Sequence, residues 1–131
     1  MTRILVVDDS EVDRRIAAGL LQHGDAGYQI DLAGNGREAI TRLRECPPDV
    51  VVTDMQMPER DGLELVRAIR LHYPQVPVIL MTAHGSDDLA ILALEEGAAS
   101  YVPKSQLNER LVETVEEVLA IARADRTYER L

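Results

Sequence analysis

Apolar residues along the chain follow two different spacings. Five short runs, "RILVV", "YQIDLA", "DVVVTD", "VPVILMTA" and "ASYVPK", are rich in β-branched and aliphatic side chains and predict strands. Between them lie amphipathic stretches. "SEVDRRIAAGLLQ" carries Val12, Ile16, Ala17 and Leu20 at helical spacing and predicts an amphipathic helix. "NGREAITRLRE" opens on Asn35, a residue suited to cap a helix N-terminus. "GLELVRAIRLHY" predicts a third helix with Leu63, Val66, Ala68 and Ile69 inward. "SDDLAILALEEG" begins with a Ser86 cap and an acidic first turn, and stops at Gly97. "NERLVETVEEVLAIAR" places Leu111, Val115, Val118 and Ala122 on one stripe.

Five strands alternating with five helices imply an α/β fold with a parallel sheet and right-handed crossovers. "ILVV", "VVV" and "VILM" are apolar throughout, as strands covered on both faces must be. "YQIDL" alternates, with Gln29 and Asp31 polar, and "SYV" is short; both suit sheet edges. The first, third and fourth strands are therefore interior. A doubly wound sheet of order 2-1-3-4-5 satisfies all of this.

Composition narrows the function. The 131 residues amount to one domain, with 46% apolar residues and no internal repeat. Phe and Trp are absent, so the core must be Val, Leu, Ile, Ala and Met. A formal net charge of −9 makes free nucleic acid a poor partner. The single cysteine, Cys46, excludes an intrachain disulfide or a cysteine zinc cluster and reads as a small residue closing a helix. No apolar run reaches membrane-spanning length, and a soluble cytoplasmic protein is expected.

The candidate chemistry lies at the carboxyl ends of the strands. Ligands of open α/β sheets bind there, where the strand order reverses, here between the first and third strands. The first strand runs into Asp8 and Asp9, the third ends in Asp54, the fourth in Thr82, and the fifth leads to Lys104. Neighbouring strands stand about 4.8 Å apart. Three carboxylates so crowded need a raised pKa or a bound cation. The ligands are all oxygen, so the cation is hard; Mg²⁺ fits best, since "DDSEVDRR" lacks the spacing of a calcium loop. A metal beside a carboxylate, with Lys and Thr nearby, suits phosphoryl transfer. Asp8 and Asp9 are paired and suit the cation. Asp54 stands alone and is the better nucleophile, although spacing does not decide between them.

In "ILVVDDS", "DVVVTDMQMPERDG", "VPVILMTAHG" and "GAASYVPK" the chain resembles the bacterial response-regulator receiver domain, over residues 2 to about 122. The resemblance implies a flavodoxin-like (βα)5 sandwich that acts as the phosphoacceptor of two-component signalling. It implies phosphorylation of Asp54 by a sensor histidine kinase or phosphotransfer protein, self-catalysed and without conventional enzyme turnover. Asp9 is expected to bind Mg²⁺ directly and Asp8 chiefly through water, with the Asp54 carboxylate and the Gln56 carbonyl as further ligands. Thr82 is expected to hydrogen-bond the phosphoryl group, Lys104 to pair with it, and Tyr101 to turn inward as a switch. The surface of the fourth helix, fifth strand and fifth helix would then change its affinity for a downstream protein or output domain. Pro58 and Gly62 match the family's turns after Asp54. Ala83 leaves access to the phosphoryl group, and Gln56 and His84 fall where the family sets phosphate lifetime.

Ser105 departs from the pattern, because the family usually follows the lysine with a cis proline. Either the Lys104–Ser105 bond is trans with Lys104 aimed differently, or it is cis at a cost of about 2.5–4 kcal/mol. Residues 1–122 form the expected domain. Residues 123–131, "RADRTYERL", are either a charged tail or a continuing helix. A second stripe of Ile121, Ala124, Tyr128 and Leu131 fits such a helix, which would pair two chains on phosphorylation or lead into an output domain. Two other readings compete. A phosphorylation-independent interaction module would keep the fold without the chemistry. An aspartyl-phosphate phosphatase would need an acid/base Asp where Gln56 stands.

Overall fold

The computed structural model describes residues 1–24, 27–57, 61–83 and 87–130, with backbone only for 126–130. Pro58, His84, Ser86, Tyr128 and Leu131 carry expectations that lie outside this description or, for Tyr128, outside its side chains. The elements run β1 (Arg3–Val7), α1 (Glu11–Gln22), β2 (Gln29–Ala33), α2 (Gly36–Glu45), β3 (Val50–Asp54), α3 (Gly62–His72), β4 (Val78–Thr82), α4 (Asp87–Glu95) and β5 (Ser100–Pro103). A single 3₁₀ turn, Lys104–Gln106, then leads into α5 (Leu107–Arg130). All neighbouring strands pair parallel, in the order β2-β1-β3-β4-β5.

The pleat sends alternate residues of each interior strand to opposite faces. Leu5, Val7, Val51, Val78 and Leu80 join Ala39, Leu43, Leu65, Val66, Ile69 and Ala93, so α2, α3 and α4 cover that face. Ile4, Val6, Val50, Val52, Ile79 and Met81 join Ala17, Leu21, Leu111, Val115 and Leu119, so α1 and α5 cover the other. β1, β3 and β4 are interior, as their uninterrupted apolar runs require. On the β2 edge Asp31 accepts a hydrogen bond from Arg3 at 2.9 Å, which gives the alternating strand a polar partner. The expected caps form: Asn35 Oδ1 accepts from the Glu38 N–H, and Cys46 closes α2 while remaining exposed.

The apolar stripes read from the sequence meet the core to different degrees: α5 buries its stripe, α3 buries part of it, and α1 turns a neighbouring stripe inward. On α1, Val12 and Ile16 are 67% and 46% exposed, while Ala17, Ala18 and Leu21 are buried. Periodicity identifies residues that share a face but not which face looks inward. Here the short β1–α1 connection decides, because the Arg14 Nη1 turns back to donate to the Asp8 carbonyl at 2.7 Å. That anchor puts the 14–17–21 side against the sheet. On α3, Leu65 joins Val66 and Ile69 in the core, while Leu63 and Ala68 are only half-buried. On α5, Leu107 and Leu119 extend the buried stripe and Ala122 is half-buried. Beyond Ala122 the helix continues to Arg130, with Ile121 and Ala124 exposed and Arg123 Nη2 donating to Thr2 Oγ1 at 2.6 Å. Among the described residues, no helix is long and apolar enough to cross a membrane.

Candidate functional site

Sheet topology places the acidic side chains. β1 and β3 are hydrogen-bonded neighbours, with Val7 opposite Thr53, so Asp8 and Asp54 emerge side by side. Asp8 is fully buried and tied down on three sides. Its N–H donates to the Ala33 carbonyl at 3.1 Å, its Oδ1 accepts from the Ser10 N–H at 2.9 Å, and its carbonyl holds Arg14. Ser10 then caps α1 by accepting from the Asp13 N–H at 3.2 Å. Asp9, one residue on, is exposed. Asp54 ends β3 and is 7% exposed. The loop after it closes through the Gly62 N–H, which donates to the Met55 carbonyl at 2.8 Å. A Cβ on Gly62 would lie 2.6 Å from the Asp54 carbonyl oxygen, so only glycine admits this approach.

Asp8, Asp9 and Asp54 each offer a carboxylate oxygen, and the three lie within 4.8 Å of one another. Lys104 Nζ stands 2.9 Å from Asp8 Oδ2, 2.9 Å from Asp13 Oδ2 and 3.4 Å from Asp54 Oδ1. Its approach to Asp8 is close but poorly angled, so the buried Asp8 Oδ2 has a neighbouring charge and no hydrogen-bond donor. Burial, then the Asp8 charge, pushes the Asp54 carboxyl up to about 6, against the opposing pull of Lys104 and of the Gln56 N–H. Burial alone would lower the Lys104 pKa, but the hydrogen bond to Asp13 and the close carboxylates of Asp8 and Asp54 outweigh it and raise it. The ammonium therefore stays charged.

These residues fit a hard divalent cation. The donor set is all oxygen, two of its carboxylates are buried, and one buried oxygen lacks a donor. The exposed Asp9 gives that set an open side.

The structure brings together Asp8, Asp9, Asp54 and Lys104. Thr82 ends β4, 4% exposed and opposite Pro103, whose successor is Lys104. Ala83, beside it, is exposed. Gln56 is exposed, with its N–H on the Asp54 carboxylate. Met55 and Met57 are buried in the core, away from any ligand role. Tyr101 is half-buried against the first core face. The Lys104–Ser105 bond is trans, and Lys104 still reaches Asp8 and Asp54. Two residues that the sequence reading passed over also belong here, Asp13 and Arg14. Their one signal was position, since both sit in the first turn of the helix that follows the acidic pair.

The fold and site define a doubly wound α/β protein with an acidic pocket and a lysine at the strand ends. The family model described as the response regulator receiver domain matches residues 4–116. The chain belongs to that family, the receivers of bacterial two-component systems. It is 40% identical over 120 residues to the transcriptional regulatory protein ZraR of Klebsiella oxytoca, covering 92% of this chain and 27% of the relative. It is 42% identical over 106 residues to the regulatory protein AtoC of Escherichia coli K12, covering 79% and 22%. The chain thus spans about a quarter of the length of these curated relatives. Among solved structures, the receiver domain of NtrX from Brucella abortus superposes with a TM-score of 0.84 at 30% identity, covering 89% of this chain and 98% of that one. The longer NtrX structure superposes at 0.92 with 28% identity, covering 99% of this chain and 29% of that one.

Proposed function

We propose that this receiver takes a phosphoryl group onto Asp54 from the phosphohistidine of a sensor kinase or phosphotransfer protein. The observation that carries this reading is Asp54 itself, a nearly buried carboxylate facing Asp8 and Lys104 at the end of a central strand. Asp8, Asp9 and the Gln56 carbonyl would hold Mg²⁺. The cation supplies charge neutralisation of the phosphoryl oxygens and of the crowded carboxylates. An Asp54 carboxylate oxygen attacks phosphorus in line. The P–N bond breaks, the imidazole nitrogen keeps the electron pair and takes a proton from solvent, and Asp54 becomes an acyl phosphate. Lys104 pairs with one phosphoryl oxygen and the Thr82 hydroxyl donates to another.

The signal then leaves through the loops that follow β4 and β5. Thr82 and Lys104 sit at the tips of those strands, so pulling on them shifts α4, β5 and the start of α5, with Tyr101 turning inward. A change from 1:99 to 99:1 between two states needs about 5.5 kcal/mol of differential stabilisation, within reach of a few charge-assisted hydrogen bonds. The curated relatives are longer, and are named a transcriptional regulatory protein (ZraR) and a regulatory protein (AtoC). We infer that the switched surface acts on an output domain, a separate protein or a second copy of this chain, in the cytoplasm.

Intact mass after incubation with acetyl phosphate and Mg²⁺ tests the chemistry. Wild type is expected to gain one phosphoryl group, and Asp54→Asn none. No gain in wild type, or an equal gain in the variant, would refute it.

A further inference from the structure

Lys104 has three acceptors around it, and one of them is not part of the acidic pocket. Asp13 lies outside the three-carboxylate cluster, on the first turn of α1. Yet its Oδ2 accepts the well-formed hydrogen bond from Lys104 Nζ, at 2.9 Å, across a sequence separation of 91 residues. Asp54 Oδ1 is the most distant of the three contacts, at 3.4 Å. Asp13 is itself held in place, because its N–H is fixed on the Ser10 cap. The lysine is thus drawn toward α1 and away from the carboxylate that it is meant to serve.

We propose that Asp13 is a positioning residue for Lys104, a tether that competes with the phosphoryl group on Asp54 for the same ammonium. The inference rests on the phosphoacceptor reading of Asp54. An ammonium has three N–H donors and is a compact charge on a flexible stem. In the unphosphorylated protein Asp13 occupies one donor. A phosphoryl group adds close to two negative charges and strong acceptor oxygens at Asp54. Lys104 must then move toward β3, and its bond to Asp13 is stretched or lost. Asp13 therefore lowers the affinity of the pocket for a phosphoryl group and couples α1 to its arrival. The Asp13 side chain is 39% exposed, so solvent weakens the tether without removing it.

Beryllofluoride in excess Mg²⁺ is the phosphoryl probe, titrated by calorimetry into wild type, Asp13→Asn and Glu11→Gln. Glu11 lies in the same turn and pairs with Arg15 at 2.7 Å, so its variant controls for loss of one negative charge on α1. Asp13→Asn is expected to bind the probe about fivefold more tightly, as for loss of one partly solvated charge-assisted contact. Glu11→Gln is expected to match wild type. In a Lys104→Met background the gain from Asp13→Asn is expected to vanish. The ¹⁵N resonance of Lys104 Nζ, followed by NMR in metal-free protein, is expected to shift in Asp13→Asn and stay put in Glu11→Gln. Unchanged probe affinity and an unmoved Lys104 resonance in Asp13→Asn overturn the tether. So does a gain that persists without the lysine, since it then reflects bare charge repulsion. A wild type that takes no beryllofluoride overturns the phosphoacceptor reading itself, a result separate from either.

Discussion

Asp54 is held in a setting that favours its neutral form, with little solvent and the Asp8 carboxylate beside it. Its pKa of about 6, against an ordinary 3.8, has a definite sign for stability. Between about pH 4 and 6 the folded chain keeps a proton there that the unfolded chain has lost. Stability therefore falls as pH rises through that window and stays reduced above it. Asp54→Asn mimics the protonated form. In EDTA at pH 8 it is expected to stabilise the protein by up to about 3 kcal/mol, a gain that shrinks as pH drops below about 6. Urea unfolding at several pH values checks this, and a gain independent of pH would contradict it. The crowding was legible from "VVDDS" and "VVVTD", because parallel strands must put their carboxyl ends on one rim. The Lys104–Asp13 contact was not. An acidic residue in a first helical turn has a sufficient local reason in the helix dipole, and only the packing of α1 against α5, which brings the 3₁₀ turn after β5 to the start of α1, reveals a second one.

At the scale of the element, α1 separates what periodicity decides from what packing decides. Val12, Ile16 and Leu20 are as well spaced as Ala17 and Leu21, and the two stripes differ by roughly one 100° step around the helix. The Arg14 anchor on the Asp8 carbonyl turns the second stripe to the sheet, and Val12 is left in solvent. Leu21→Ala is therefore expected to cost about 2–5 kcal/mol, as for other core truncations. Val12→Ser is expected to change stability by no more than about 0.5 kcal/mol. Equal losses in chemical denaturation would return the face to the 12–16–20 stripe. The strands were easier to read. An edge strand accommodates polar residues along its length, while an interior strand is apolar up to its carboxyl end, so the order is legible from the alternation of β2 and the shortness of β5.

At the scale of the molecule, the site is a point of strain that a cation should relieve. Three carboxylates drawn from two strand ends repel one another, and a ligand that binds only the folded chain stabilises it by mass action. Mg²⁺ at a hundredfold excess over its dissociation constant is expected to add about 2.7 kcal/mol to unfolding at pH 7.5. The effect should weaken at pH 5, where Asp54 takes up a proton, and largely disappear in Asp9→Ala. Thermal unfolding with Mg²⁺ or EDTA reads it directly; an equal shift in Asp9→Ala would place the ion elsewhere. The sequence by itself determined the alternation of elements, the strand order and the meeting of Asp8, Asp9 and Asp54. These follow from local periodicity, from burial and from the direction a parallel sheet imposes. Tertiary structure alone decided which face of α1 is buried, the Arg14 anchor, and the sharing of Lys104 between Asp8, Asp13 and Asp54. Those depend on the azimuth and approach of elements far apart in the chain, and side-chain spacing along a single element carries no information about either.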